Sequence, residues 1–480
     1  MVQGIRANVL LYCLAAFPGK EHLVLKKPHA LTPLERRSIS VLAGIYGLRI
    51  LGLFLILPVF ALFAAELDGQ TPFLIGLALG AYGLTQALLQ IPYGMLSDHF
   101  GRKPMIVAGL LVFALGSFIA AGADSILGVI IGRAVQGAGA IASAVIALTA
   151  DLTREEQRTK AMAAIGMTIG ATFTLSLIVG PVLNGAIGVP GIFSLTGVLA
   201  FCAIGVLLLF VPTPARAKRQ GRGSLPAQFA RILKDRQLLR LDLGIFFLHL
   251  VLTAMFVVLP TAIVTYADLH VDEHWKLYLP VMAAAFATMV PFIMLSHKRH
   301  GTRPVLTGAV AALAVAQAIF FFGHQSLWGL VLGLWLFFTA FNLLEAMLPS
   351  LVSRLAPTTN KGAAIGVYSS AQCLGACAGG ALGGLLHGAI GIPAVFVLCA
   401  AVLTVWCVIA TAMPEPKWLE TRELRVGRQA PAQAHHLAQK LEAIPGVREA
   451  VVIADEGIAY LKVDADALDE RALNKFSAAV

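Results

Sequence analysis

Glu345 is the one acidic side chain well inside a long apolar stretch of this 480-residue chain, and Asn342 lies one helical turn before it. His249, Arg49 and Arg133 sit in three other stretches of the same kind. If such stretches cross a membrane, a charged group at their centre costs about 2.5–3.5 kcal/mol or more, which makes each one a candidate for function. Desolvation favours the neutral acid over the carboxylate, so a buried carboxyl can load and release a proton near cellular pH. A histidine titrates there unaided. Glu345 therefore reads as the leading proton carrier and His249 as a modulator or second site.

A different kind of chemistry is concentrated in residues 94–105, GMLSDHFGRKPM, where Asp98, Gly101, Arg102 and Lys103 fall between two apolar stretches. A helix N-terminus presents unpaired N–H groups and attracts a carboxylate such as Asp98. Gly101 permits a tight backbone turn. Other candidates are weaker. Cys373 and Cys377 are one turn apart and read as small residues at a helix contact. Adjacent His435 and His436 would point about 100° apart on a helix, and no metal site is expected. No nucleotide-binding loop and no nucleophile–base pattern is present, so an enzyme is not expected, nor is a cofactor.

Positioning these groups is the task of a membrane-embedded frame. The composition is 58% hydrophobic and 13% charged, with mean hydropathy +0.81, more apolar surface than a soluble core absorbs. The net charge of +10 does not indicate nucleic acid, because the basic residues gather between apolar runs and no aromatic-interleaved basic motif accompanies them. A membrane helix needs about 20 apolar residues. Stretches of that kind lie near 39–64, 72–93, 103–122, 126–149, 161–187, 191–211, 240–264, 275–296, 303–322, 327–350, 361–387 and 391–412. Lysine and arginine cluster after every even-numbered stretch, while the alternate loops are acidic. The positive-inside rule then places the even exits and both termini in the cytoplasm.

The organisation that follows is an N-terminal extension (1–37), a six-helix half (38–212), a linker (213–239), a second six-helix half (240–413) and a tail domain (420–480). Within the linker, Phe229, Ile232 and Leu233 share one face, as in an amphipathic helix lying on the membrane surface. GRKP opens the third stretch and GTRP the ninth, an echo that suggests two related halves around a central site of alternating exposure. The tail reads β-α-β-β-α. A strand falls at 424–426, a helix at 433–444, a hairpin turns at 455–457, and a last helix runs near 467–478, close to a ferredoxin-like module.

The pattern Gly-x-Leu-x-Asp-x-x-Gly-Arg-Lys, filled by Gly94, Leu96, Asp98, Gly101, Arg102 and Lys103, resembles the signature loop of the major facilitator superfamily. GRAVQGAGA, with Arg133 and Gln136, is similar to a second motif of that family. LRILGLFLILPVF, DLTREEQRTKAM, AFNLLEAMLPSL and KGAAIGVYSS resemble a branch of proton-driven exporters that carry a ferredoxin-like cytoplasmic domain after the last helix. The resemblance implies a twelve-helix fold in which helices one, four, seven and ten line the cavity, so that Arg49, Arg133, His249, Glu345 and Asn342, with Gln86, face it. It implies that Asp98 meets the start of helix eleven and that Arg102 pairs with Asp151, forming a latch that holds the outward-open state. It implies an antiporter motif in helix five, where Gly180, Pro181 and Gly185 fit, while Met167, Ser176 and Asn184 replace glycines.

The function expected is a proton-coupled antiporter in a bacterial inner membrane. It would act as a monomer and export a small amphipathic or hydrophobic compound, with Phe54, Phe246, Phe256 and Phe341 as candidate lining. Two other readings stay open: a membrane sensor signalling through the tail, and uptake by proton symport.

Overall fold

The structure is a computed structural model that describes residues 31–213, 232–296, 301–356, 361–414, 419–428, 430–454, 457–464 and 467–476. The expected extension up to residue 30 and the amphipathic linker helix as far as residue 231 lie outside the described residues. The extension's expected end at residue 37 falls inside the first helix, α1 (Pro33–Phe54). This helix starts early because Thr32 and Glu35 form a capping box: the Thr32 hydroxyl accepts from the Glu35 amide, and the Glu35 carboxylate accepts from the Thr32 amide at 2.8 Å. The same carboxylate accepts from Arg154 Nε and Nη2, each at 2.9 Å, which ties the start of α1 to the turn before α7.

The N-terminal half comprises α1, α2 (Leu57–Ala64), α3 (Pro72–Phe100), α4 (Arg102–Ala121), α5 (Ile126–Ala138), α6 (Ala142–Asp151) and α7 (Glu155–Phe210). Short breaks divide the first crossing into α1 and α2, and the fourth into α5 and α6. The latter break falls at Gly139 and Ala140, at the end of the glycine-rich GRAVQGAGA run. The C-terminal half comprises α8 (Arg236–Ala267), α9 (Trp275–Ser296), α10 (Thr302–Gly323), α11 (Leu327–Leu355), α12 (Lys361–Ala389) and α13 (Ile392–Thr411).

Ten helical segments among the described residues are long and apolar enough to cross a membrane. One of them is α7, whose 56 residues contain a non-helical residue at Gly188 (φ 67°, ψ 173°) and so hold two crossings end to end. Helix α12 has the length of a crossing but is too rich in glycine to be as apolar as the ten. Counting α7 as two crossings and adding α12 restores the twelve expected from hydropathy.

The halves meet along α3 and α12. A Cβ at Gly80 would lie 2.8 Å from the Cα of Cys377, and Gly76 and Gly83 face Gly380 and Cys373 as closely. Small residues thus let two backbones touch. This contact uses only the first part of α3, up to Ala87, whose carbonyl accepts from Ser370. Towards the opposite end the helices part. Apart from the backbone of its own helix, nothing lies within 4 Å of a Cβ placed at Gly166, Gly170, Gly362 or Gly366. The halves are therefore joined at the end with acidic loops and separated at the end with basic loops.

After α13 comes a small sheet of β1 (Leu419–Arg425), β2 (Val447–Ile453) and β3 (Ile458–Asp464), packed with α14 (Pro431–Glu442) and α15 (Glu470–Asn474). The order is β1-β3-β2 with both pairings antiparallel, a split β-α-β arrangement with a hairpin. The first strand is longer than the expected 424–426, and the last helix shorter than 467–478. Alternate residues Ala459, Leu461 and Val463 of β3 are fully buried against the helices. Lys462 points the other way and donates to the carbonyl of Ala356 at 2.8 Å and to that of Arg354 at 3.4 Å. The tail domain thereby caps the end of α11, the helix that carries Glu345, where a cation is favoured by the helix dipole.

Candidate functional site

In the C-terminal half, α8, α11 and α12 bring three polar side chains together. The side-chain amide of Gln372 (α12) stands 2.8 Å from His249 Nε2 (α8) and 3.3 Å from Glu345 Oε1 (α11). One amide with two N–H donors serves both acceptors. Glu345 Oε2 lies 4.0 Å from His249 Nε2 and has no hydrogen-bond partner. It is the position where a proton would sit without disturbing the amide. The ring of Phe341 packs 5.9 Å from that of His249. Tyr46 of α1 and Tyr368 of α12 are buried, and the Tyr368 hydroxyl has no hydrogen-bond partner. Asn342 is buried beside the cluster with its amide nitrogen unpartnered.

The facing cluster in the N-terminal half is built on α1, α3 and α5. Arg49 is 2% exposed and donates to Gln86 at 3.1 Å, and Gln86 donates to Gln90 at 3.3 Å. Arg49 Nε and Nη1 have no partner. The Arg49 guanidinium lies 5.5 Å from the centre of the Tyr82 ring, and that of Arg133 lies 5.1 Å from it. Arg133 is fully buried and donates to Gln136 and to the carbonyls of Ala78 and Leu79. Gln136 donates in turn to Ser117 at 2.7 Å. Arg133 therefore does not face the cavity as expected. Its donors are used inside the half, fastening α5 to α3. Phe256, expected in the cavity lining, is fully buried against Tyr278 and belongs to the packing. Phe54 packs edge-on to Phe173, which contacts Phe341 across the halves.

The charged loop between α3 and α4 is ordered within its own half. Gly101 has φ 101° and ψ 150°, a backbone conformation closed to L side chains. Arg102 forms an ion pair with Asp98, a second with Asp151 at 3.2 Å, and a hydrogen bond to Ser97 at 2.6 Å. Lys103 donates to the carbonyl of Val211 at 2.7 Å, capping the end of α7. The structure thus brings Arg102 and Asp151 together. It does not bring Asp98 to the start of α12, because the halves are apart at that end, and Asp98 pairs with Arg102 instead. In the fifth crossing, Gly180 packs on the backbone of Leu55, and Gly185 lies against Asp272. Asn184 donates to Asp272 at 2.8 Å. A residue that departs from the glycine pattern is thus a bridge to the other half.

Comparison with known proteins now bears on this arrangement. The profile of the Major Facilitator Superfamily matches residues 42–298 and 281–450. The chain belongs to the major facilitator superfamily. As a member it is a multi-pass secondary transporter, a class distinct from enzymes. The YajR YAM domain profile matches residues 427–476, the tail. The chain is 41% identical over 437 residues to the inner membrane transport protein YajR of Escherichia coli strain K12, covering 91% of this chain and 96% of that protein. It is 26% identical over 341 residues to the multidrug resistance protein MdtH of Aeromonas hydrophila, covering 70% and 84%. Among solved structures, a bacterial homologue of the human lysosomal transporter Spinster in an inward-facing, occupied conformation matches with a TM-score of 0.65 at 14% identity, over 80% and 97% of the two chains.

Two residues of this superfamily member escape a reading of the sequence. Gln372 is uncharged and lies in a glycine-rich stretch, so composition gives it no weight until α12 packs against α8 and α11. Asp242 falls at the edge of the 240–264 stretch, where a carboxyl draws no weight. In the structure it is buried in the second turn of α8. The signal was a carboxyl seven residues, two helical turns, before His249.

Proposed function

We propose that this transporter is a proton-coupled antiporter that exports a small amphipathic or hydrophobic compound across a bacterial inner membrane. The observation that carries this reading is the cluster of Glu345, Gln372 and His249. A carboxyl with one unpartnered oxygen faces a histidine between helices that line the path through the fold. Protonation of Glu345 removes the cost of a desolvated charge and shifts the balance between the two open states. The positive-inside rule assigns the basic end to the cytoplasm, and by that assignment the conformation described is inward-open. Asp98 is then in its released position. Closing the basic end would carry it from Arg102 towards the N-terminus of α12, where unpaired amides favour a carboxylate. What supports export among the relatives is a name: one, 26% identical, is called a multidrug resistance protein.

The test uses inside-out vesicles with an imposed proton gradient followed by a pH-sensitive dye. Lipophilic cations, sugars and metabolites are added in turn. Collapse of the gradient by one compound in wild type, and not in Glu345→Gln, is the expected result. An equal response in Glu345→Gln removes Glu345 from the coupling. If no compound moves the gradient with folded protein, the antiport reading fails, and the tail domain becomes the object of study.

A further inference from the structure

Asp242 is 5% exposed and makes no hydrogen bond or ion pair among the described residues. Unlike Glu345 Oε2, its oxygens are not sealed from solvent, so the group stands where water from the basic end can reach a carboxyl inside the helix packing. Tyr368, on α12, is buried and its hydroxyl also lacks a partner. Tyr368 precedes Gln372 by one turn of α12, and Gln372 donates to Glu345 Oε1 at 3.3 Å. The acidic group two turns earlier, Asp235, is occupied as the N-cap of α8, accepting from the amides of Gln237 and Leu238.

The helix periods arrange these groups in two layers. Asp242 and His249 are seven residues apart on one face of α8, and Tyr368 and Gln372 are four apart on one face of α12. Both helices begin at the basic end. At about 1.5 Å per residue, Asp242 and Tyr368 each lie roughly 10 Å from the starts of their helices. Glu345 lies roughly 15 Å from the end of α11 at the same side. The first layer is therefore nearer the basic end, and the second, joined by the Gln372 amide, is deeper.

We propose that Asp242 and Tyr368 form the inner limb of a proton path, passing protons between the water at the basic end and Glu345. This rests on the reading of Glu345 as the proton carrier. In the inward step, the Asp242 carboxylic acid gives its proton to the Tyr368 oxygen as the Tyr368 hydroxyl proton passes to the Glu345 carboxylate. Tyrosine ends as it began, and Asp242 is left as a carboxylate that water reprotonates. The return step runs the same transfers backwards and delivers the proton to the basic side. His249 need not change its proton in either step, because the Gln372 amide holds its Nε2 as an acceptor.

The test needs no substrate. The purified full-length protein in lipid nanodiscs is subjected to a rapid drop in pH, and carboxyl protonation is followed by time-resolved infrared spectroscopy. The band absent from Glu345→Gln reports Glu345. In Asp242→Asn and in Tyr368→Phe that band is expected to reach its full amplitude at a rate lower by about tenfold or more, within the range of a lost proton-transfer group. Asp242→Glu is expected to restore the rate. An unchanged rate in both Asp242→Asn and Tyr368→Phe overturns the path. If no band is lost in Glu345→Gln, the carrier reading itself is wrong and the path falls with it. Should Asp242→Asn fail to fold, Tyr368→Phe, which removes one hydroxyl, decides the matter alone.

Discussion

Arg49 and Arg133 flank the same tyrosine ring but differ in what remains unsatisfied. Arg133 spends its donors on Gln136 and on two carbonyls of α3, whereas Arg49 keeps two nitrogens without partners. Arg133→Ala therefore removes charged hydrogen bonds that hold α5 to α3, and a loss of about 1.5–3 kcal/mol of stability is expected. A lowered melting temperature of the detergent-purified protein checks it. Arg133→Lys is expected to recover little, because a single ammonium cannot reach Gln136, both carbonyls and the ring face together. The sequence singles out Glu345, His249, Arg49 and Arg133 by one criterion, the cost of charged groups in apolar surroundings. That criterion cannot separate a cavity group from a satisfied one, which is why Arg133 reads as cavity and proves to be a fastener. It is also silent on Gln372, whose importance lies wholly in the two neighbours that folding brings to it.

At the scale of elements, hydropathy found twelve crossings, because a membrane imposes a length on every helix. The glycine-rich α12 was legible as a crossing even though it is the least apolar. Its contact with α3 was not, since a stripe of small residues does not announce its partner. That contact is tight enough to test. A side chain at Gly80 would meet backbone of Cys377 at 2.8 Å, and backbone cannot give way as a flexible side chain does. Gly80→Leu should force α3 and α12 apart at the acidic end. Cys373, buried in the wild type, should then react with a maleimide, measured in a chain whose other five cysteines are replaced by serine, since Cys202 is exposed and Cys377 and Cys407 are partly so. Unaltered protection of Cys373 in folded Gly80→Leu would mean that the seam yields elsewhere and does not govern the opening.

For the whole molecule, which end is open cannot be written in the sequence, because one sequence must fit both open states. The charges that bias the choice are visible, and their partners in a given state are not. The resemblance implies that the charged loop at 94–105 reaches the other half through Asp98, yet here Asp98 pairs within its own half. The bridge observed lies at the opposite end, where Asn184 donates to Asp272 at 2.8 Å. At that point a Cβ on Gly185 would stand 3.2 Å from the Cβ of Asp272, a few tenths of an ångström short of the about 3.5–4.5 Å that a disulfide spans, so a small outward shift brings the pair into range. The pair Gly185→Cys and Asp272→Cys, in a chain otherwise without cysteine, should therefore oxidise readily in the state described. The crosslink ties the halves at the acidic end and leaves the basic end free. Alternating access requires the acidic end to open, so the oxidised protein should lose transport and recover it on reduction, with each single variant unaffected by oxidant. A crosslinked protein that still transports would show that the halves turn over without parting at Asp272. The hinge of the cycle would then lie at that bridge rather than at the contact between α3 and α12.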